Sequence, residues 1–226
     1  MKKIAVIGAS RGIGRELVRQ LAKNHQVLAV SRNAEKLETL KAETGCSIAS
    51  LDLGHSDYKS KLSEAIKTEL GGLDILVNNA GYLVNKPFLE TTLEDIEQTY
   101  RVNVFGLIQS CQAAVELMNG QGHIVNIGSI GGVQGSVKFP GIGVYSSSKA
   151  AVTGYTECLA EELKETNIQV NCLALGAVQT EMLAEAFPGY EAPTSPEEMA
   201  EFIADFALNT NKWINGKIIP VSKSTP

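Results

Sequence analysis

The sequence predicts an α/β domain built on a doubly wound, seven-stranded parallel sheet with helices on both faces. Three observations carry this. Short apolar runs rich in β-branched residues alternate with longer amphipathic stretches along the whole chain, and parallel strands need such crossover helices. A glycine-rich turn follows the first apolar run directly, as where a strand passes into a helix. The 226 residues, 44% of them hydrophobic, are enough for one substantial core, and no linker, repeat or low-complexity stretch divides them. Residues 1–226 are therefore expected to form a single domain.

The first strand is read at 3–7, where Lys-Ile-Ala-Val-Ile stops at a glycine. A helix follows over 12–24, then a strand at 27–30 (Val-Leu-Ala-Val) and a helix over 34–44. The third strand is expected at 47–51, the next helix at 57–70, and the fourth strand at 75–77. One long helix is expected from 93 to 119, ahead of a fifth strand at 123–127. A helix over 145–166, a strand at 169–173, a helix over 196–208 and a last strand at 217–221 complete the alternation. Ligands of such a sheet bind outside the carboxyl ends of the strands, so the loops after the fifth and sixth strands are placed to line a site.

A net charge of −5 leaves no surplus of Lys and Arg to neutralise phosphates, which argues against nucleic-acid or anionic-membrane partners. Met1-Lys2-Lys3 looks like the start of a signal peptide, but the apolar run 4–7 is too short for an h-region or a membrane span. Cys46, Cys111, Cys158 and Cys172 are widely separated, without C-x-x-C or metal-ligand spacing, and read as reduced thiols of a cytoplasmic protein. His25, His55 and His123 are scattered, and neither H-E-x-x-H nor G-x-S-x-G occurs, so no metal site is expected.

After the first strand comes Gly8-Ala9-Ser10-Arg11-Gly12-Ile13-Gly14. Its glycines allow a tight turn and close approach of a pyrophosphate to backbone amides at a helix N-terminus. Gly14 is followed by Arg15, so the Lys-Ser/Thr of a P-loop is missing and nucleoside triphosphate hydrolysis is disfavoured. The expectation is a Rossmann-like dinucleotide site. Where an acid for the ribose 2′-hydroxyl often ends the second strand, this chain has Ser31-Arg32. Arg32 and Arg11 are placed to bind a 2′-phosphate, which favours NADP(H) over NAD(H); solvated surface arginines are the alternative.

Tyr145 and Lys149 stand four residues apart at the start of a helix and share a face. Hydride transfer to a ketone needs a proton donor for the developing alkoxide, and an ammonium beside a tyrosine lowers its pKa toward neutrality. Ser129, at the end of the fifth strand, is placed to donate to the carbonyl oxygen.

Together with Asp52, Asn78-Asn79-Ala80-Gly81 and Asn103, these residues resemble the short-chain dehydrogenases/reductases over essentially the whole chain. The resemblance implies Tyr145 as general acid/base, Ser129 as orienter of the carbonyl, and Lys149 as holder of the nicotinamide ribose. It implies that Asn103 positions a water joined to Lys149. It further implies cofactor contacts from Gly8, Ser10, Arg11, Gly12, Ile13, Gly14, Ser31, Arg32, Asp52 with Leu53, Asn79, Ala80, Gly81, Gly176, Val178 and Thr180. A kink-stabilising role for Asn103 is compatible with the one implied. A homodimer or homotetramer is implied as well.

Three features depart from the family pattern. Leu175-Gly176 stands in place of Pro-Gly, Tyr145 follows Ser129 by sixteen positions, and the ending Val221-Ser222-Lys223-Ser224-Thr225-Pro226 replaces a glycine-rich finish. The function expected is NADPH-dependent reduction of a small-molecule carbonyl. The alternatives are a non-catalytic NADP-binding regulator or scaffold, and nucleotide-sugar chemistry, which the short candidate lid at 181–195 disfavours. Val133, Gln134, Phe139, Met182 and Phe187 are expected to line an apolar substrate pocket.

Overall fold

Alternate residues of a strand face opposite sides of its sheet, and in β1 (Lys3–Ile7) both sets are apolar. Ile4 and Val6 enter one core, Ala5 and Ile7 the other. A strand buried on both faces belongs at the centre of a parallel sheet. In the computed structural model, which describes residues 1–223, β1 lies between β2 (Gln26–Ser31) and β4 (Ile75–Asn78) in the order β3-β2-β1-β4-β5-β6-β7. Every pairing is parallel. The remaining strands are β3 (Ser47–Ser50), β5 (Gln121–Ser129), β6 (Asn167–Leu175) and β7 (Ile218–Val221).

Helices α1 (Gly12–Leu21), α2 (Ala34–Thr44) and α8 (Pro196–Asn209) cover one face through Leu17, Leu37 and Ile203. Helices α3 (Tyr58–Leu70), α5 (Gly106–Val115) and α6 (Gly143–Glu162) cover the other through Leu62, Leu107 and Val152. A fully buried aliphatic side chain of this size contributes about 1.5–3 kcal/mol, so two such cores hold the sheet between its helices. Strand order reverses between β1 and β4, and that switch point opens a cleft at the carboxyl ends of the strands.

The structure corrects the expected elements in three places. The single helix over 93–119 is instead α4 (Leu93–Tyr100), a π-helical stretch Arg101–Phe105 and α5. A π-turn inserts one residue into the helical ladder, which amphipathic periodicity cannot reveal. The candidate lid contains a short helix, α7 (Glu181–Ala186), capped by Thr180. Strands β5 and β6 run two residues further than expected, ending at Ser129 and Leu175, because they pair with each other along their whole length. The altered ending falls partly on residues 224–226, outside the described residues. Among the described residues no helix is long and apolar enough to cross a membrane.

Candidate active site

The cleft, of about 1090 Å³, runs from the Gly8–Gly12 turn to the β5–α6 loop. At the first end, Gly8 (φ +88°) and Gly12 (φ +52°) adopt left-handed backbone that favours glycine. A Cβ on Gly8 would stand 2.6 Å from the Ala80 backbone, and one on Gly14 would collide with the Gly8 carbonyl oxygen. Gly14 thus packs helix against strand and does not face the cleft, whereas Gly8, Ser10, Arg11, Gly12 and Ile13 do. The N-terminus of α1 has no side-chain cap and no acidic residue in its first turn. Open amides with no competing carboxylate on that turn fit a pyrophosphate.

Ser31, Arg32, Asp52, Leu53, Asn79, Ala80 and Gly81 line the same end. The two arginines expected at a 2′-phosphate have carboxylate neighbours here. Arg11 makes a two-pronged ion pair with Glu185 of α7, at 2.5 and 3.2 Å. Arg32 lies 3.9 Å from Asp52, whose Oδ1 also accepts from Gly54 N. Both pairs are substantially exposed and therefore weak. Asn79 Nδ2 donates to the Gly8 carbonyl at 2.9 Å, tying β4 to the turn. Gly176, Val178 and Thr180 complete this wall. The Leu175-Gly176 departure is accommodated, with Gly176 N donating to Val221 O at 2.8 Å.

At the other end, Ser129, Tyr145 and Lys149 meet on the cleft surface although Tyr145 follows Ser129 by sixteen positions. The Ile130–Gly132 3-10 turn and the loop after it fold back and set Tyr145 beside Ser129. Burial pushes the Tyr145 phenol up to about 12, with Ser129 pulling the other way. Burial also pulls the Lys149 ammonium down to about 8. Lys149 Nζ donates to the Ile127 carbonyl at 2.8 Å and lies 5.8 Å from the Tyr145 ring centroid. Loss of water around the phenol is what raises its pKa, while the Lys149 ammonium is turned to a backbone carbonyl.

Asn103 does not open on the cleft. It is fully buried in the π-helical stretch, where Oδ1 accepts from Tyr82 N at 2.7 Å and Nδ2 donates to Tyr82 O and Ser148 Oγ, both at 2.9 Å. Its side-chain donors are spent on holding the β4 loop to α6, the kink-stabilising role. Val133 and Gln134 also turn away from the cleft, and Val137 takes their place beside Phe139, Met182 and Phe187.

Sequence reasoning did not single out several supporting residues. A Cβ on Gly132 would lie 2.6 Å from the Lys149 carbonyl carbon and 2.7 Å from Ala150 N. That bare contact lets the turn after Ser129 press onto α6. Asn126 of β5 accepts from Asn78 Nδ2 at 2.9 Å and donates to Thr156 of α6 at 3.0 Å, fixing the helix against the sheet inside the core. Buried Asn in an apolar strand was the available signal. His123 has a structural place, its ring bonded to Ala207 O and Asn171. Among the described residues no His, Cys, Asp and Glu cluster could hold a metal ion.

A family model described as short chain dehydrogenase matches residues 2–191. Carbonyl reductase family member 4 of Xenopus laevis is 38% identical over 231 residues, covering 97% of this chain and 96% of that protein. Among solved structures, a short chain dehydrogenase from Burkholderia cenocepacia J2315 in complex with NADP superposes with a TM-score of 0.87 at 29% identity, covering 98% of this chain and 96% of that one. The 3-ketoacyl-(acyl-carrier-protein) reductase from Brucella melitensis complexed with NADH gives 0.90 at 25% identity, covering 97% and 96%.

Proposed function

Because this chain belongs to the short-chain dehydrogenase family of NAD(P)-dependent oxidoreductases, we propose that it reduces an aldehyde or ketone to an alcohol with NADPH. The observation that carries this is the meeting of Ser129, Tyr145 and Lys149 at one end of a cleft whose other end is a glycine turn with open helix amides. Bound along that cleft, the nicotinamide supplies a hydride to the carbonyl carbon.

The chain's own residues do the rest. Ser129 Oγ donates to the carbonyl oxygen and fixes its direction. Tyr145, protonated at neutral pH as any phenol is and more firmly so for its burial, gives its proton to that oxygen as negative charge grows there. Lys149 holds the nicotinamide ribose and, when charged, stabilises the phenolate left behind. Asn103 keeps the Tyr82 backbone and α6 in register. Gly8, Gly12 and the α1 amides hold the pyrophosphate, while Asp52 and Leu53 meet the adenine.

The preference for NADPH rests on Arg11 and Arg32, with no carboxylate at the end of β2 itself. A homodimer or homotetramer is supported by apolar surface at Phe88, Leu89 and Leu93, each 70% exposed or more. A reducing, cytoplasmic setting suits the four free thiols. We take residues 1–226 as one domain.

The test is NADPH oxidation against a panel of aldehydes, ketones and quinones, with wild type and Tyr145→Phe. We expect turnover that falls roughly 10²–10⁴-fold in the variant, with NADPH binding retained. Absence of turnover across the panel would overturn the proposal.

A further inference from the structure

The substrate end also indicates what the cleft admits, an inference that rests on the carbonyl-reductase reading above. Three chain segments close this end: Lys86 N donates to Gly141 O at 2.9 Å, and Asn85 Nδ2 donates to Ala186 O at 2.8 Å. The side chains they turn to this end are mostly apolar, among them Leu83, Val137, Phe139, Met182 and Phe187, with the uncharged phenols of Tyr82 and Tyr190 beside them. Two lysines are carried by these segments outside the cleft lining, and both are already committed. Lys86 Nζ reaches both Asp95 carboxylate oxygens, at 2.8 and 2.7 Å. Lys138 Nζ donates to Gly131 O at 2.9 Å, Val133 O at 2.6 Å and Ser136 Oγ at 2.7 Å.

An ammonium has three protons, so Lys138 is saturated by its own loop. Ser136 Oγ in turn contacts Ile130 O and Val133 O. The knot therefore ties the turn after Ser129 to the strand of chain that carries Val137 and Phe139, one on each side of Lys138. The cations that do line the cleft are Arg11, Arg32 and Lys36 at the nucleotide end, and Lys149, bonded to Ile127 O.

We propose that the site selects carbonyl compounds whose substituents are uncharged and apolar, and that Lys138 enforces this as a positioning residue, binding its own loop and no substrate anion. A carboxylate carried beside the carbonyl would meet an apolar wall without a counter-charge, or would have to pull Lys138 from three acceptors. Either way the anionic substrate is disfavoured.

The test is steady-state reduction of an aryl methyl ketone and its size-matched ring carboxylate at saturating NADPH, in wild type, Lys138→Met and Lys138→Arg. We expect wild type to favour the neutral ketone at least tenfold in kcat/KM, chiefly through KM. Lys138→Met should raise KM for the aryl ketone at least fivefold more than for a two-carbon aldehyde, because the wall that loosens touches only the larger substrate. Lys138→Arg, still a multiple donor, should recover most of that loss.

A wild-type preference for the carboxylate that disappears in Lys138→Met would show the ammonium serving the substrate and overturn the proposal, leaving carbonyl reduction intact. Equal KM values for the aryl ketone in all three proteins would also overturn it. Turnover of no carbonyl at all removes the reductase reading and this inference together. Should Lys138→Met fail to fold, the wild-type ratio and Lys138→Arg still decide.

Discussion

Lys149 is 3% exposed, and its folded pKa of about 8 against an ordinary 10.5 makes it a source of pH-dependent stability. Between those values the unfolded chain holds the proton and the folded one does not, so stability rises with pH. At about 1.4 kcal/mol per pH unit, the gain over the window is about 3 kcal/mol. Below pH 8 both states are charged and the folded state bears the full penalty of the buried ammonium. Lys149→Met removes that penalty but leaves the Ile127 carbonyl without its donor, a loss of about 1–3 kcal/mol. The two effects nearly cancel at pH 7. Urea denaturation of cofactor-free wild type and variant from pH 7 to 10.5 should therefore show similar stability at the lower end and a wild-type lead of about 3 kcal/mol at the upper. Tyr145, pushed up by burial, loses stability above its ordinary value in both proteins and cancels in the comparison; Cys172, pushed up by burial but pulled down by Lys149, is pushed up further in the variant and adds slightly to the wild-type lead at high pH. A difference that stays flat from pH 7.5 to 10.5 would refute the claim that Lys149 sits charged against a desolvation penalty.

With Tyr145 as the proposed general acid/base, alcohol oxidation would need its phenolate, so with the phenol pushed up to about 12 the rate should keep climbing to at least pH 10, while carbonyl reduction stays level through neutrality; pH profiles in both directions check this. Gly132→Ala places a methyl against the α6 backbone at Lys149; overpacking there should lower stability by about 1–3 kcal/mol and depress kcat, read by thermal melts and kinetics. Arg32→Ser should weaken NADPH roughly tenfold or more with little change for NADH, because a charge-assisted contact is worth about 1.5–3 kcal/mol; fluorescence titration of both nucleotides measures it. Glu185→Gln frees Arg11 from its ion pair and should tighten NADPH by up to about fivefold, since an exposed pair is worth at most about 1 kcal/mol. That gain should shrink in high salt.

The sheet was legible because each strand carries its own signal: in β1 and β2 nearly every residue is buried, and the apolar runs stand out without reference to the rest of the chain. The glycine turn was legible for the same local reason. What escaped depended on partners distant in sequence. Arg11 reads as a free cation until Glu185, 174 residues away, is folded onto it. The π-turn at Asn103 leaves the apolar pattern of the helix intact and shows only when Tyr82 and Ser148 come to its amide. Val133 and Gln134 yield their expected places to Val137 because Lys138 knots the loop, and one lysine in a glycine-rich segment gives no sign of three acceptors waiting for it.

The chemical pair shows how one physical cause acts in opposite directions on two groups. Desolvation disfavours whichever form is charged, so the same burial moves Tyr145 up and Lys149 down. Each shift favours the neutral side chain. A phenolate facing an ammonium is therefore not the resting arrangement; a phenol stands beside an ammonium that rests on the Ile127 carbonyl. That arrangement suits reduction, which begins with a protonated donor and ends with a phenolate needing charge beside it. Under the proposed mechanism, Lys149 would turn its field from Ile127 toward Tyr145 as the proton leaves. The 5.8 Å between ammonium and ring is a reach that a four-carbon side chain spans by changing rotamers, without movement of α6. The helix itself is tied to the sheet by the hydrogen bond from Asn126 to Thr156.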